Sequence, residues 1–540
     1  MKKFVATTLI SALIALCFAG CSGSSDSETP PPSDDPAASE TPSGATADDA
    51  VVAYVGTTIF DGGLDPIKGS MSYGYSFTNA ALLKVNPQSE YVGDMATAWD
   101  VSADALVYTF DLRQGVKFGD GSDMTAEDVV FTYERVREKQ AENENADLTK
   151  LVSVKALSDY KVEFTLSEPY SPFLDTTAML GIVPADGYDA EAFEHRPVGT
   201  GPWKVVQYDA NQQIILEPNE NYYEGPPTVG RVTLVYMEQD AALAAARSGQ
   251  LDVVMVSPNH ASETVSGMTM FPLETMDIRN VSLPVRPAQE RDGLMVGNDV
   301  TSDKNVRQAL AIGIDRAAII QNAFNGIGKP ATGFTSNLIW AGTDVYEDNR
   351  KDEAAALLEN AGWVDADGDG FREKDGVACE FDVYAAEDRY VLAAALAEDA
   401  AVFGVKINPH SSSWDDISAN MNTSGVVWGW GQYSPTVIAS LFDSQYAFSG
   451  GFNNVVAYSD PEVDALIAQA FGETNQEAAI EKWKQAQALA NADFPYLYIV
   501  NIEHCYFVSD RLDISPDTQI PHPHGHGSPI ICNMKDWKFK

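Results

Sequence analysis

Leu106, Tyr108, Phe110 and Leu112 alternate with Val107, Thr109, Asp111 and Arg113, the two-residue period of a strand buried on one face. Val116–Phe118 reads as a second short strand, and Gly119-Asp120-Gly121 as a tight turn. Thr125 stands three residues ahead of Asp128, a capping-box spacing. Val129, Tyr133 and Val136 then follow at i, i+4 and i+7, the apolar stripe of a helix. This stretch predicts strand, strand, turn and capped helix, and it offers no nucleophile, base or metal cluster.

The same two periods recur along the chain. Residues 51–66 read as a strand and a loop, and 161–173 as a strand ending at a proline. Asp240–Ser248 reads as a helix stopped by Gly249, ahead of strand Leu251–Val254. Ser302 is placed to cap a helix carrying Val306, Ala309, Leu310 and Gly313, and Asp315-Arg316 opens another. Ala354–Asn360 is a helix closed by Gly362, and Tyr390–Phe403 one ended by Gly404 before strand Val405–Ile407. Asp460-Pro461 starts a further helix with Pro in its first turn. Helices alternating with strands at this spacing argue an α/β architecture with buried parallel pairs. Gly199 and Gly201 have no following Lys-Ser/Thr, so they read as backbone turns and not as a phosphate cradle.

The chain has 540 residues, 45% of them hydrophobic and 21% charged, as suits a folded multi-domain protein. Its formal net charge of −43 argues against nucleic acid as a partner and against electrostatic docking on anionic lipid. It reads as an acidic, solvated surface and does not by itself indicate a cationic ligand. Residues 1–21 read as an export signal, with Lys2 and Lys3 ahead of an apolar run from Phe4 to Phe18 that is too short to remain a membrane span. Phe18-Ala19-Gly20-Cys21 resembles a lipobox, which would make Cys21 the lipidated first residue of the mature chain. Residues 22–49 are rich in Ser, Pro, Thr, Asp and Glu and read as a disordered tether. A tether of that length spans on the order of 30 Å. Of the five cysteines, Cys379, Cys505 and Cys532 remain beyond the signal and the anchor, and spacing leaves open whether two of them bridge.

The segment from Trp99 to Tyr133 resembles the extracytoplasmic solute-binding proteins of ABC importers, in the large peptide- and nickel-binding family. Trp99, Tyr108, Phe110, Leu112, Arg113, Gly115, Val116, Phe118, Asp120, Gly121, Thr125, Ala126, Asp128, Val129 and Tyr133 carry the match. Pro197–Trp203, Asn219–Tyr223 and residues 305–320 continue it in order. The resemblance implies a two-lobe periplasmic-binding-protein-like α/β fold with an extra inserted domain. Lobe I would take residues 50–76, 197–280 and 505–540, the inserted domain 77–196, and lobe II 281–504. Two crossings between lobes make a hinged cleft. The implied protein is no enzyme, and no GxSxG, HExxH or Ser–His–Asp order is present. It is expected to be a monomer outside the cytoplasm, anchored by lipid, with a small solute and ABC permease subunits with their ATPases as partners.

Trp428-Gly429-Trp430-Gly431-Gln432-Tyr433-Ser434-Pro435 resembles the family's cleft motif, in which an aromatic lines the pocket and an Asp pairs with a peptide amine. The resemblance makes Trp428, Trp430, Gln432 and Tyr433 ligand-binding candidates, with Tyr75 from the first lobe. Gln432 stands at the acidic position, and a neutral amide lacks the charge-assisted bond an ammonium takes. The resemblance implies a peptide or related small solute, or a nickel-type metal chelate, and an opine-like metallophore or a small sugar also suits the fold. Arg279 and Arg286 are candidate carboxylate partners, or ion-paired surface residues. His522, His524 and His526 would share one side of an extended backbone and bind a transition metal, or form a structural loop. Asp365, Asp367 and Asp369 follow EF-hand spacing and would hold calcium, or form a surface loop; position 12 is Gly376 instead of Glu. No cofactor is required, and these two clusters are the places for a structural calcium or a ligand metal.

Overall fold

The computed structural model describes residues 49–56, 63–69, 76–139, 142–143, 146–291, 293–335, 337–342, 347–520, 522–524 and 526–540. The readings of the signal, Cys21, the tether and Tyr75 lie outside the described residues.

β1 (Ala50–Tyr54) enters a large mixed sheet, with Val51 and Ala53 0% exposed. The chain then builds a separate antiparallel sheet from β2 (Ala96–Val101), β3 (Val107–Leu112), β4 (Leu151–Ser158) and β5 (Lys161–Leu166), in the order β2-β3-β5-β4. The predicted alternation is realised in β3, where Tyr108, Phe110 and Leu112 are buried. Phe110 meets Phe164 of β5 edge-on at 5.6 Å. Helix Ala126–Glu138 covers this sheet: Thr125 N–H donates to Asp128 Oδ2 at 2.8 Å, and Val129, Tyr133 and Val136 are 0% exposed. Val116–Phe118 does not form a strand. The turn folds Phe118 N–H back onto the Ser122 carbonyl at 2.9 Å, leaving room for the single Lys117–Asp123 bridge.

β6 (Trp203–Asp209), β7 (Gln213–Pro218), β8 (Arg231–Val235) and β9 (Val253–Val256) return to the large sheet. Gly199 is a close-approach glycine, as a Cβ there would lie 2.0 Å from the Thr78 carbonyl oxygen. β10 (Met268–Ser282), β11 (Glu380–Ala385), β12 (Lys406–Ser411), β13 (Gly425–Trp430) and β14 (Tyr496–Ser509) continue the sheet in the order β12-β11-β13-β10-β14-β9-β1-β8-β7-β6, and the two-residue strand Lys329–Pro330 pairs with β14 beside this path. β1 is parallel to β8 and β9, and β11 to β12 and β13, the buried parallel pairs that the helix–strand spacing predicted.

β10 and β14 are 15 and 14 residues long and lie antiparallel at the middle of the sheet, paired from Met268↔Ser509 to Ser282↔Tyr496. Both lobes hang on this pair. Val51, Leu216, Leu234 and Trp537 pack on one side of it, and Leu310, Phe381, Val383 and Leu396 on the other. The expected junctions at 280/281 and 504/505 fall inside the two strands. In the second lobe Asp303, and not Ser302, caps the helix, accepting from Asn305 N–H at 2.9 Å; the Ser302 hydroxyl donates instead to the Asp299 carbonyl. Cys379, Cys505 and Cys532 are free thiols.

Residues 77–196 also touch the second lobe directly. Tyr433 OH donates to the Ser89 carbonyl at 2.7 Å, and Ser171 N–H to the Phe471 carbonyl at 2.9 Å. Tyr170 and Phe471 stack at 5.6 Å.

Phe164 is 0% exposed and meets the rings of Phe110, Tyr133 and Phe173. Phe164→Ala is expected to cost about 3–5 kcal/mol in urea unfolding of the whole chain. A loss below about 1 kcal/mol would mean that this sheet is not packed as described.

Candidate functional site

The C-terminal ends of β1 and β9 face that of β11 across β13, β10 and β14, and a cavity of about 490 Å³ lies between them. Open α/β sheets bind ligands beyond the carboxyl ends of their strands, and the volume suits a small solute. Tyr54 and Met255 wall it from the first lobe, Phe324, Arg389 and Leu392 from the second, and Asp277, Arg279 and His504 form its floor.

A bulge builds the floor. The β10–β14 register shifts between Glu274 and Ile278, and such a shift re-aims side chains locally. The backbone groups it frees are satisfied by side chains: Asn501 Nδ2 donates to the Thr275 and Asp277 carbonyls at 2.9 and 3.1 Å, and Asp277 N–H donates to Thr275 Oγ1 at 3.0 Å. Asp277 is thereby buried, its side chain 1% exposed, with Arg279 Nη1 2.9 Å from Oδ1 and 2.8 Å from Oδ2. Burial opposes ionisation of Asp277. The Arg279 guanidinium, helped by His526, Arg389 and His504, outweighs burial and holds the carboxyl below its ordinary value. His504 and His526 are each pushed down to about 4 by burial, so both imidazoles are neutral at pH 7.

Arg279 lines the cavity; Arg286 does not, and instead donates to the Ala457 and Ser459 carbonyls at 3.4 and 3.1 Å. Trp428 and Trp430 pair with Asn280 and Ile278 and so share the face of the sheet opposite Arg279. Trp428 is 4% exposed and its indole N–H donates to Ser282 Oγ at 3.0 Å. Trp430 is half-buried. Gln432 forms a backbone bridge with His524, and Tyr433 is 3% exposed. His526 alone of its cluster lines the cavity. The chain here turns where the spacing assumed extension: His524 N–H donates to His522 Nδ1, and His526 N–H to His524 Nδ1, at 3.2 Å each.

Among the described residues, the one set of three His, Cys or carboxylate groups with donor atoms within 4.8 Å is Asp365, Asp367 and Glu373. Asp369 is not in it and accepts from Phe371 N–H at 2.8 Å. Sequence reasoning did not reach Asp277, His504 or Arg389. The signal available for the first was an Asp and an Arg two apart, on one face of a strand-like run.

A model of bacterial extracellular solute-binding proteins, family 5 Middle, matches residues 90–450. The chain belongs to this family. It is similar to Protein XP55 of Streptomyces lividans, 29% identical over 466 residues that cover 83% of each chain. It is also 29% identical to the oligopeptide-binding protein AppA of Bacillus subtilis over 419 residues, 73% of this chain and 75% of that one. NikA from Brucella suis, solved in complex with Fe(III)-EDTA, shares the fold at a TM-score of 0.74 and 19% identity, over 91% of this chain and 100% of that one. The multi-domain α/β fold implied by the sequence resemblance is the one observed, and the family is one of binding proteins, not enzymes.

A titratable group lies at the contact between residues 77–196 and the second lobe. Asp175 is 5% exposed, the Tyr91 hydroxyl donates to it, and Tyr91 meets Tyr433 edge-on at 5.6 Å. Burial pushes its carboxyl up to about 7, against the Ser434 hydroxyl, which lowers it. A pKa raised in the folded state contributes stability that is complete below the ordinary carboxylate value and lost as pH rises through about 7. Urea midpoints of the wild type are therefore expected to fall between about pH 5 and 8, and those of Asp175→Asn to fall less. Equal slopes in the two proteins would remove Asp175 from this role.

Proposed function

We propose that this chain is the membrane-anchored binding component of an ABC importer. It captures a peptide or a related small solute between its lobes and delivers it to permease subunits driven by their ATPases. The observation that carries this reading is the cavity of about 490 Å³ at the strand ends of both lobes, floored by the only two strands that run through both among those described. Bending of β10 and β14 would open and close it, and a solute that touches both lobes selects the closed form. Anchoring through Cys21 places the binder beside its permease.

A metal chelate is the second reading. It is favoured by the two neutral imidazoles, His504 and His526, that line the cavity near Asp277. Neutral imidazole is a transition-metal ligand.

Native mass spectrometry of protein purified without refolding is expected to show a retained solute, and removing that solute should enlarge the radius of gyration. A solute whose loss leaves small-angle scattering unchanged would count against a closing cleft. Cys21→Ala should move the protein from the membrane to the soluble fraction; retention in the membrane would end the lipoprotein reading.

A further inference from the structure

We propose that Arg279 is a carboxylate anchor in this cavity, that the transported solute therefore carries a free carboxylate, and that Gly429 is the residue that makes room for the anchor. The proposal rests on the solute-binding reading above and adds the chemical class of the solute.

Arg279 on β10 stands directly opposite Gly429 on β13. A Cβ at Gly429 would lie 1.7 Å from Arg279 Nη1, 2.6 Å from His526 Nε2 and 2.8 Å from Asp277 Oδ1. Gly429 does not have a positive φ, so the backbone does not call for glycine there. Space does, and the space is filled by the guanidinium.

The described partners of Arg279 are all reached through Nη1: Asp277 Oδ1 at 2.9 Å, Asp277 Oδ2 at 2.8 Å and His526 Nε2 at 3.3 Å. Asp277 thus fixes the guanidinium in place without using its fork. The remaining edge, Nε with Nη2, is the one that meets a carboxylate through two parallel N–H···O bonds. The Arg279 side chain is 14% exposed and lines the cavity, so a carboxylate bound there would be largely out of water.

The lining sets Asp277, Asp388 and Glu503 against Arg279 and Arg389, so the case for an anion rests on the open edge of the guanidinium and not on net charge. Asp277 is offset by Arg279 itself. Glu503 accepts from Gly328 N–H at 3.2 Å. The Asp388 side chain is 71% exposed and lies beside Arg389. Arg389 on the same wall is paired with Asp388 and donates to the Val427 carbonyl at 3.3 Å, and His504 and His526 are neutral. With a net charge of −43 on the whole chain and Arg279 already paired with Asp277, attraction of an anion has to come from short-range hydrogen bonding, and the open edge of the fixed guanidinium supplies it.

A ligand carboxylate has two sources: the C-terminus of a short peptide, or the carboxylates of a metal chelate. Calorimetry on the full chain separates them. The probes are a pool of short peptides as free acids, the same pool with C-terminal amides, and nickel with free L-histidine. The proposal expects the acids or the nickel–histidine complex to bind. It expects amidation to weaken any peptide binding by roughly ten-fold or more, since a charge-assisted pair is lost. Arg279→Gln and Gly429→Ala should each weaken the bound carboxylate probe by roughly ten-fold or more, and Arg279→Gln should leave the residual affinity for amides unchanged.

Arg279→Gln strands Asp277, so the Asp277→Asn, Arg279→Gln double variant, which removes both charges, is measured beside it with melting curves as the folding control. Acids and amides bound equally, or a folded Arg279 variant with undiminished affinity, would overturn the anchor and leave solute binding intact. Failure of every probe to bind the wild type would overturn the solute-binding reading and the anchor together.

Discussion

The antiparallel pairing of β10 with β14 is the constraint from which the rest of this molecule follows. Two strands of 15 and 14 residues are longer than either lobe needs for its own core. Their outer halves belong to different lobes, with Leu273, Tyr506 and Val508 packing in one core and Val281, Leu497 and Val500 in the other. The lobes are thereby joined by a hydrogen-bonded ribbon in place of a flexible linker. A ribbon can bend and twist while its ladder stays intact, which limits lobe movement to a hinge. The cavity lies against the middle of the pair, where Asp277, Arg279 and His504 face it.

That position explains the chemistry found there. Polar side chains in the middle of a buried sheet are costly unless paired. Asp277 is paired with Arg279, and the bulge that aims it inward has its backbone groups taken up by Asn501 and Thr275. The acidic surface and the cavity are therefore different electrostatic environments. Outside, carboxylates outnumber basic groups and are solvated. Inside, one carboxylate holds a guanidinium in place, and the nearby imidazoles are kept neutral by burial.

The legibility of the sequence follows from range. The β3–turn–helix segment was readable because its strand alternation, capping box and helical stripe are set by neighbours within a few residues. The same local rules placed the helices of the second lobe, with an error of one residue where Asp303 outcompeted Ser302 as a cap. Val116–Phe118 failed because strand propensity says nothing of whether a partner fits beside it. The cavity floor was hidden for the same reason on a larger scale. Asp277 meets His504 and His526 only through a register and a bulge that involve residues more than two hundred positions apart. The spacing of His522, His524 and His526 misled because it presumed extended backbone, whereas the rings of His522 and His524 each accept from the N–H of the next histidine.

The segment from Trp428 to Pro435 is tied into the protein at several points. In Tyr433, the hydroxyl donates to the Ser89 carbonyl, the backbone N–H donates to the Pro523 carbonyl at 2.8 Å, and the carbonyl accepts from Trp340 Nε1 at 2.6 Å. Gln432 bridges His524 through its backbone. The polar groups of Tyr433 are thus engaged by the protein, and its hydroxyl and N–H reach segments outside the second lobe. The acidic residue that would meet an amine is absent from the loop. Gly429 takes no part in that loss, because it faces Arg279 on the opposite side of β13 from the tryptophans. One short strand therefore serves two ends: the loop beyond it joins the domains through Tyr433, and its glycine face admits the guanidinium. With Gln432 neutral in the loop and Arg279 fixed in the floor, the charged contact that the proposal above offers a solute is a cation from the floor and not an anion from the loop.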